Sequence, residues 1–379
     1  MNNRAGYDII IVGGGLAGLS LSILLARKQY KVLVLEKDSY PRHKVCGEYI
    51  SNESRAFLLD LGMPIDTLAL PQINTLQVTD TNGNEVLASL PLGGFGISRY
   101  SLDAQLAELA VKAGVELITK ARVDDIVYKD ELFAISAKNN TYTAKLVAGT
   151  WGKKSNLDVK WNRAFVKGKN KSLTNFIGIK YHIRYNWPAD RVGLHNFRDG
   201  YCGISQIEDD KCCLCYLTTA KNLQANGNDI KQLELNVLMQ NPWLKDIFTN
   251  AEFLFDTPVT ISQISFEKKE QVLNHVLMLG DTGGVISPLS GNGMSMALHA
   301  SKIGAGLMGQ YLEGKITRPQ MEQTYTQLWK QQFSRRISTG RFVQSKFGKM
   351  QTTAFFLKTM NLLPLLRRMV INSAIGKVF

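Results

Sequence analysis

The sequence has little of what builds metal centres, disulfide scaffolds or membrane spans. Its five histidines, His43, His182, His195, His275 and His299, are dispersed, and no two stand at ligand spacing, which leaves metal catalysis without support. The five cysteines, Cys46, Cys202, Cys212, Cys213 and Cys215, form an odd, clustered set that suits reduced thiols in a cytosol better than a secreted disulfide framework. In an extended strand Cys213 and Cys215 share one face and Cys212 takes the other, and no histidine is expected nearby to complete a site. The apolar run from Ile9 to Ala26 follows Asp8 and is broken by four glycines, so it reads neither as a secretion signal nor as a span, and no signal peptide is expected before it. Internal repeats, low-complexity linkers and nucleic-acid-binding motifs are also missing, and nucleic acid is not an expected partner.

What is present begins at Tyr7. Asp8-Ile9-Ile10-Ile11-Val12 has the continuous apolar character of a buried parallel strand, Leu16 to Lys28 carries apolar residues at helical spacing, and Lys31 to Leu35 returns as a second strand. Between the first strand and the helix lies Gly13-Gly14-Gly15-Leu16-Ala17-Gly18. Gly13 permits the tight turn, Gly15 lets backbone approach a pyrophosphate, and Gly18 lets helix and strand pack closely, with free N–H groups at the helix start facing the anion. Glu36, eighteen residues after Gly18, is placed to accept hydrogen bonds from a ribose diol, with Lys37 beside it.

A second glycine-rich segment distinguishes NAD from FAD. Val276 to Leu279 reads as a buried strand running into Gly280-Asp281-Thr282-Gly283-Gly284, then Pro288-Leu289-Ser290-Gly291-Asn292-Gly293-Met294, then a long helix. Asp281 is placed for ribityl hydroxyls, Gly291 and Gly293 let the chain pass close to a flavin ring, and the helix from Asn292 points its positive end there. A nicotinamide enzyme has no need of this second clamp.

With these segments in hand the chain resembles FAD-dependent oxidoreductases of the geranylgeranyl reductase and flavin monooxygenase type. Pro41-Arg42-His43-Lys44-Val45-Cys46-Gly47 followed by Ser51 is similar to the reductase signature, and Arg99-Tyr100-Ser101-Leu102-Asp103 resembles the segment whose arginine contacts FAD. The resemblance covers roughly residues 7 to 305. It implies an α/β fold: a Rossmann-like FAD-binding domain of the para-hydroxybenzoate hydroxylase and glutathione reductase type, with an inserted antiparallel substrate sheet. It also implies that Cys46 and Gly47 lie against the flavin, where Arg42 and Lys44 would favour a thiolate and make Cys46 a catalytic candidate. The alternative for Cys46 is a small, inert, buried hydrophobe. His43, three residues earlier, reads as a loop residue in a basic patch or as a catalytic one.

The chain departs from the family pattern in two places. Gly149-Thr150-Trp151-Gly152 has Trp151 where many flavin hydroxylases carry an aspartate, in a turn linked with reduced-nicotinamide binding, so NAD(P)H as electron donor stays open. Prenyl reductases tend to carry Tyr-x-Trp-x-Phe-Pro in the substrate sheet; here the matching region is Gly200-Tyr201-Cys202-Gly203-Ile204-Ser205-Gln206. Tyr201 is kept, while Gly203 and Ser205 suggest a roomier, more polar substrate pocket. The Trp-x-Trp-x-Ile-Pro signature of tryptophan halogenases is absent.

Between the two clamps the pattern changes to short strands and turns. Ile73 to Thr79 and Val86 to Leu90 flank Asn82-Gly83-Asn84 as a hairpin; Val123 to Tyr128, Phe133 to Ala137 and Tyr142 to Val147 suggest a meander. Ile177 to Arg184, Val192 to Phe197, Tyr201 to Ile207 and Lys211 to Thr218 build a further sheet, and Asp229 to Met239 and Pro242 to Phe248 look helical. A chain of 379 residues, 45% hydrophobic, exceeds one compact core. The expected division is an FAD-binding domain from 1–72, 98–170 and 265–312, a substrate domain from 73–97 and 171–264, and a basic helical segment from 313–379.

That last segment holds most of the charge. From Lys315 onward twelve Lys and Arg face a single acid, Glu322, a net of +11 within a total of +13. With its apolar blocks it favours an anionic surface: a lipid headgroup layer, an acidic carrier protein or a substrate diphosphate; the plainer alternative is a helical cap with a solvated basic face. A cytoplasmic protein is expected, with peripheral attachment to the inner face of a membrane as the variant this tail allows. Three functions follow. The first is an oxidoreductase passing hydride from reduced FAD to an unsaturated hydrophobic substrate. The others are a flavin monooxygenase acting on an aromatic or polyene substrate, free or carrier-bound, and a non-catalytic FAD-fold binding module.

Overall fold

The computed structural model describes residues 6–167, 175–287, 291–344 and 348–379. Pro288-Leu289-Ser290 of the second glycine-rich segment, and the expected domain boundary at 170/171, lie outside the described residues.

The first sheet forms because its strands are apolar on both faces. β1 (Tyr7–Val12), β2 (Val32–Leu35) and β9 (Asn140–Gly149) pair in parallel, with β6 (Glu116–Ile118) beyond β2. On the other side β17 (Val276–Met278) joins β9 in parallel, and β16 (Val272–Leu273) closes that edge. The expected meander is β7 (Val123–Lys129), β8 (Leu132–Ala137) and β9, and the C-terminal half of β9 then runs on as the inner neighbour of β1. α1 (Leu16–Ala26) has nine of its eleven residues buried, which explains its nearly uniform apolar character: it packs between the sheet, α3 (Arg99–Lys112) and α8 (Gly293–Leu312).

The second sheet has the order β14 (Glu252–Phe253), β10 (Phe176–Arg184), β13 (Cys212–Thr219), β12 (Gly200–Gln206), β11 (Arg191–Phe197), β4 (Gln72–Thr79), β5 (Glu85–Gly96), β3 (Tyr49–Ser51), with β15 (Val259–Ile264) also on β10. Its pairs are antiparallel except β4 with β11. That parallel seam is where the early hairpin meets the later strands, and hairpins cannot make such a pairing. Cys212, Leu214 and Tyr216 pack into an apolar cluster with α6 (Ile230–Asn236) and α7 (Pro242–Asn250), while Cys215 and Leu217 line a cavity. The remaining helices are α2 (Arg55–Asp60), α4 (Asn156–Lys160), α5 (Ala220–Ala225), α9 (Arg318–Gln344), α10 (Met350–Leu362) and α11 (Pro364–Ala374). α10 and α11 pack on β5, and α11 also on α9, so the C-terminal segment lies against the second sheet.

Candidate FAD and substrate site

One cavity of about 770 Å³ joins the two glycine-rich turns. Glu36, Gly13, Arg99, Asp281 and Asn292 all line it, so residues more than 250 positions apart in sequence face a common space. Its size falls in the upper part of the roughly 300–1,000 Å³ range of ligand sites.

One end of the cavity is built by β1 and α1. Gly13 has φ +107°, and a Cβ there would sit 2.5 Å from the Thr150 carbonyl oxygen; at Gly18 a Cβ would be 2.1 Å from the Gly13 oxygen. Both glycines are therefore required by close backbone packing. Gly15 differs: its backbone is extended, no side chain caps the α1 N–H groups it precedes, and a Cβ would meet only the tip of Lys44 at 3.4 Å and of Arg99 at 3.9 Å. The space over Gly15 is therefore bordered by flexible cationic side chains rather than by backbone. Leu16 and Ala17 form the buried first turn beside it, and Lys37 lies at the exposed rim.

Three cations surround that space. Arg42 pairs with Glu36 at 2.8 Å, Arg99 makes a two-pronged contact with Asp103 at 2.6 and 2.8 Å, and Lys44 lies 3.4 Å from Asp103. Burial alone would raise the Glu36 carboxyl, but the Arg42 hydrogen bond and charge outweigh it and hold Glu36 below the usual carboxylate range. Burial likewise opposes ionisation of Asp103, and Arg99 and Lys44 overcome it. Lys44 is pulled down to about 8, first by burial and then by its cationic neighbours; the open part of its side chain faces the cavity, not bulk water. Among the described residues the buried Nε of Arg42 has no hydrogen-bond partner. Three cations, paired with Glu36, Asp103 and, at 3.6 Å from Arg42, the half-exposed Asp38, stand beside an unsatisfied guanidinium nitrogen and an uncapped helix start, and this set fits a pyrophosphate. Glu36 Oε2 also accepts from the Gly14 N–H at 2.6 Å, which orients the carboxylate at the ribose position.

The turn before α8 forms the other end of the cavity. Asn292 precedes this 20-residue helix without a side-chain cap hydrogen bond, and the helix start borders the cavity with Gly291, Gly293 and Met294. Gly291 has φ +63°, and a Cβ there would press on the Tyr49 ring at 3.1 Å. Asp281 is held by its own backbone: buried Lys269 Nζ donates to the Asp281 carbonyl at 2.9 Å and to the Lys153 carbonyl at 2.7 Å, tying together the loops on either side. Across the cavity, Gly47 faces open space and Cys46 lines the wall, half-buried. Trp151 also lines the cavity and spends its indole N–H on Asp158 at 3.1 Å. FAD fits these residues: a diol acceptor, a cationic pyrophosphate cradle, and glycine-bordered room for a planar ring.

Beneath the Cys46-Gly47 loop lies a polar network that sequence reasoning missed. Glu48, fully buried and at φ +56°, accepts from Lys180 Nζ at 2.5 Å and from the Arg99 backbone N–H at 2.6 Å, and contacts His182 Nε2 at 2.7 Å. Burial opposes its charge, yet Lys180 and His182 hold it below the normal carboxylate range, and Lys180 is raised in return. The antiparallel register of β10 and β13 sets His182 opposite Cys213, correcting the expectation that no histidine stands near the cysteine pair. Glu48, His182 and Cys213 come within metal-ligand reach of one another; Lys180 and the Arg99 amide both donate to Glu48 Oε1, and His182 Nε2 contacts Oε2. His43 packs against Tyr100, His182 and Phe255 and is pushed down to about 4, chiefly by burial and then by Lys180. One signal was legible: Arg99 and Asp103 stand four apart on a helix. Lys180 and Glu48 gave none, because their pairing spans 132 positions.

The second sheet supplies the rest of the wall. Tyr201, Gly203 and Ser205 line it from β12; a Cβ at Gly203 would make only ordinary contacts, the nearest at 3.6 Å, and Ser205 Oγ donates to the Gly47 carbonyl at 3.3 Å. The inner side chains of α10 and α11 close the far end. Among the described lining residues from β4, β5, β10–β13, β15 and α9–α11, Arg367 is the only charged one.

A dinucleotide crevice continuous with an apolar chamber under a second sheet defines an FAD-dependent oxidoreductase. The model of the NAD(P)-binding Rossmann-like domain matches residues 11–67. Protein FixC of Escherichia coli O157:H7 is 30% identical over 330 residues, 79% of this chain and 76% of that protein. The chain belongs to that family, within the FAD-dependent oxidoreductases that include geranylgeranyl reductases and flavin monooxygenases. Digeranylgeranylglycerophospholipid reductase 1 of Methanococcoides burtonii is 21% identical over 369 residues, 90% of this chain and 84% of that protein. 1H-pyrrole-2-carbonyl-[peptidyl-carrier protein] brominase of Pseudoalteromonas luteoviolacea is 22% identical over 348 residues, 83% and 80%. In fold, the flavin-dependent brominase Bmp2 superposes with a TM-score of 0.80 at 19% identity, covering 98% of this chain and 93% of that one. A geranylgeranyl bacteriochlorophyll reductase-like protein of Thermoplasma acidophilum gives 0.75 at 19%, covering 93% and 90%. The protein is an FAD-dependent enzyme, so the alternative of a non-catalytic binding module is set aside.

Proposed function

We propose that the protein reduces a carbon–carbon double bond of a long hydrophobic substrate. The observation that carries this is the chamber beyond the ring position, walled by Leu76, Val78, Leu194, Leu217, Ile261 and Leu357, with one charged side chain. Bound FAD supplies a two-electron store for such a reduction. The chain's own residues bind, orient and exclude water. Gly13, Gly15, Gly18, Arg42, Lys44 and Arg99 hold the pyrophosphate, Glu36 the adenosine ribose, Asp281 the ribityl chain, and Gly291 to Met294 the ring. Tyr201, Gly203 and the apolar wall seat the substrate chain, and Ser205 steadies the Gly47 loop against it. In this reading the two sheets are also the cofactor and substrate units, with the C-terminal helices as a third element.

Cys46 lines the cavity wall next to Gly47, and it is the side chain we assign to the reacting region. Cys46→Ser should lower turnover by at least about tenfold with flavin content unchanged; equal turnover would remove it from the mechanism. Asp281→Ala should lower FAD occupancy after purification by about tenfold or more, the worth of a charge-assisted hydrogen bond, and full occupancy would refute its role.

The reading is tested anaerobically. Protein reduced with NADH, NADPH or dithionite should be reoxidised by a geranylgeranyl lipid, with loss of one double bond per flavin. Turnover only with oxygen would favour the second reading, a monooxygenase acting on a free or carrier-bound aromatic or polyene substrate. The small residues Gly203 and Ser205 in the cavity wall support that reading, because they leave this stretch of the wall without a bulky side chain.

A further inference from the structure

The outer side of the C-terminal helices is apolar where a solvated face would be polar. α10 and α11 meet at Leu363, and Asn361 to Leu366 are six consecutive exposed residues, five of them Leu or Pro. Leu365 is 79% exposed, Leu362 69%, and Phe355 and Met369 on the flanking turns 73% and 68%. Neither helix is long and apolar enough to cross a membrane. From Gln323 to Phe379 the sequence holds no Asp or Glu, while Lys349, Lys358, Arg367, Arg368 and Lys377 lie on or beside the two helices. The inner side is committed elsewhere: Leu357, Met360, Val370 and Ile371 line the cavity.

We infer that the α10–α11 corner docks on an anionic lipid bilayer and passes a lipid substrate from it into the cavity. Large apolar side chains projecting from a corner need a medium that accepts them in any orientation, and the headgroup–acyl boundary is one. A folded acidic partner would match the cations, but it would need a separate pocket for each projecting side chain. The exposed Lys349, Lys358, Arg368 and Lys377 would lie at the phosphate level, each adding to attraction for anionic lipid, while Arg367 lines the cavity. Because one pair of helices carries both the apolar exterior and the cavity wall, a small outward movement of the pair joins bilayer and chamber. This second half rests on the hydrophobic-substrate reading, and the docking itself does not.

The test uses the full-length, FAD-loaded protein with vesicles of phosphatidylglycerol and phosphatidylcholine in equal parts, and with phosphatidylcholine alone. The protein should sediment with the mixed vesicles and bind the neutral ones about tenfold or more weakly. Leu362→Glu combined with Leu365→Glu should weaken mixed-vesicle binding by about tenfold or more with the flavin spectrum unchanged. Arg368→Glu should reduce the preference for anionic lipid. Docking is overturned if the wild type ignores the mixed vesicles, if the double variant binds like the wild type, or if an acidic acyl carrier protein captures the chain where vesicles do not. For the gate, the double variant should keep reoxidation by detergent-solubilised geranylgeranyl lipid and lose it for vesicle-embedded lipid. Equal loss in both forms would overturn the gate. If wild type is reoxidised by neither form, the substrate reading and the gate fall together, while vesicle binding still decides the docking.

Discussion

Gly15→Val should lower FAD affinity by about a hundredfold or more and leave the fold intact. The reason lies in what a side chain there would meet. At Gly13 and Gly18 an added Cβ strikes backbone at 2.5 and 2.1 Å, so substitutions at those positions disturb the β1–α1 unit itself. At Gly15 the neighbours are the flexible ends of Lys44 and Arg99, and the backbone is extended, which β-branched residues accept. A valine would fill the space where a pyrophosphate approaches the α1 N–H groups, removing several charge-assisted hydrogen bonds at once. Flavin absorbance after purification and the far-UV circular dichroism of the apoprotein check this. Retained flavin would place the pyrophosphate elsewhere; loss of helical signal would mean that Gly15 is structural.

The second large effect concerns Glu48. Glu48→Gln should destabilise the protein by about 3–5 kcal/mol, because it leaves the buried Lys180 ammonium without a counter-charge. The double variant Glu48→Gln with Lys180→Met should recover much of that loss, since it removes the buried ammonium that the single variant leaves uncompensated. The pH dependence has a fixed sign. The Glu48 carboxyl is held below its ordinary 4.5 in the folded state, so its contribution is fully present above that value and is lost as the pH falls through the lower, folded value. The gap between wild type and Glu48→Gln should therefore stay level near neutrality and narrow on strong acidification. Denaturant midpoints across pH measure it. A single-variant cost below about 1 kcal/mol, the level of an exposed pair, would show that the network does not hold the Cys46-Gly47 loop.

Both effects bear on how far the chain could be read beforehand. The β1–α1–β2 unit was legible because strand runs, helical spacing and glycine positions agree over thirty consecutive residues. The second sheet was legible strand by strand, since alternation marks each strand, but not in its order: the parallel seam of β4 with β11 and the place of β3 at its edge arise from tertiary contact. β9 showed itself as the end of a meander, and nothing local marks its second role beside β1. In the site, Gly15, Glu36 and Asp281 belong to motifs whose spacing is short. Glu48, Lys180 and His182 meet only through folding, and a lone lysine or histidine in an apolar strand carries no sign of its partner. The C-terminal helices announced their charge and apolar blocks, while their part in walling the cavity needed the structure.

The central claim is that one cavity holds FAD with its adenosine at Glu36 and its ring against Gly291 to Met294. A crystal structure of the protein with FAD bound tests this most directly. The account predicts density for the pyrophosphate over Gly15 between Arg42, Lys44 and Arg99, and for the ring beside Cys46 and the start of α8. Density for the ring outside this cavity, or a pyrophosphate away from Gly15, would contradict it.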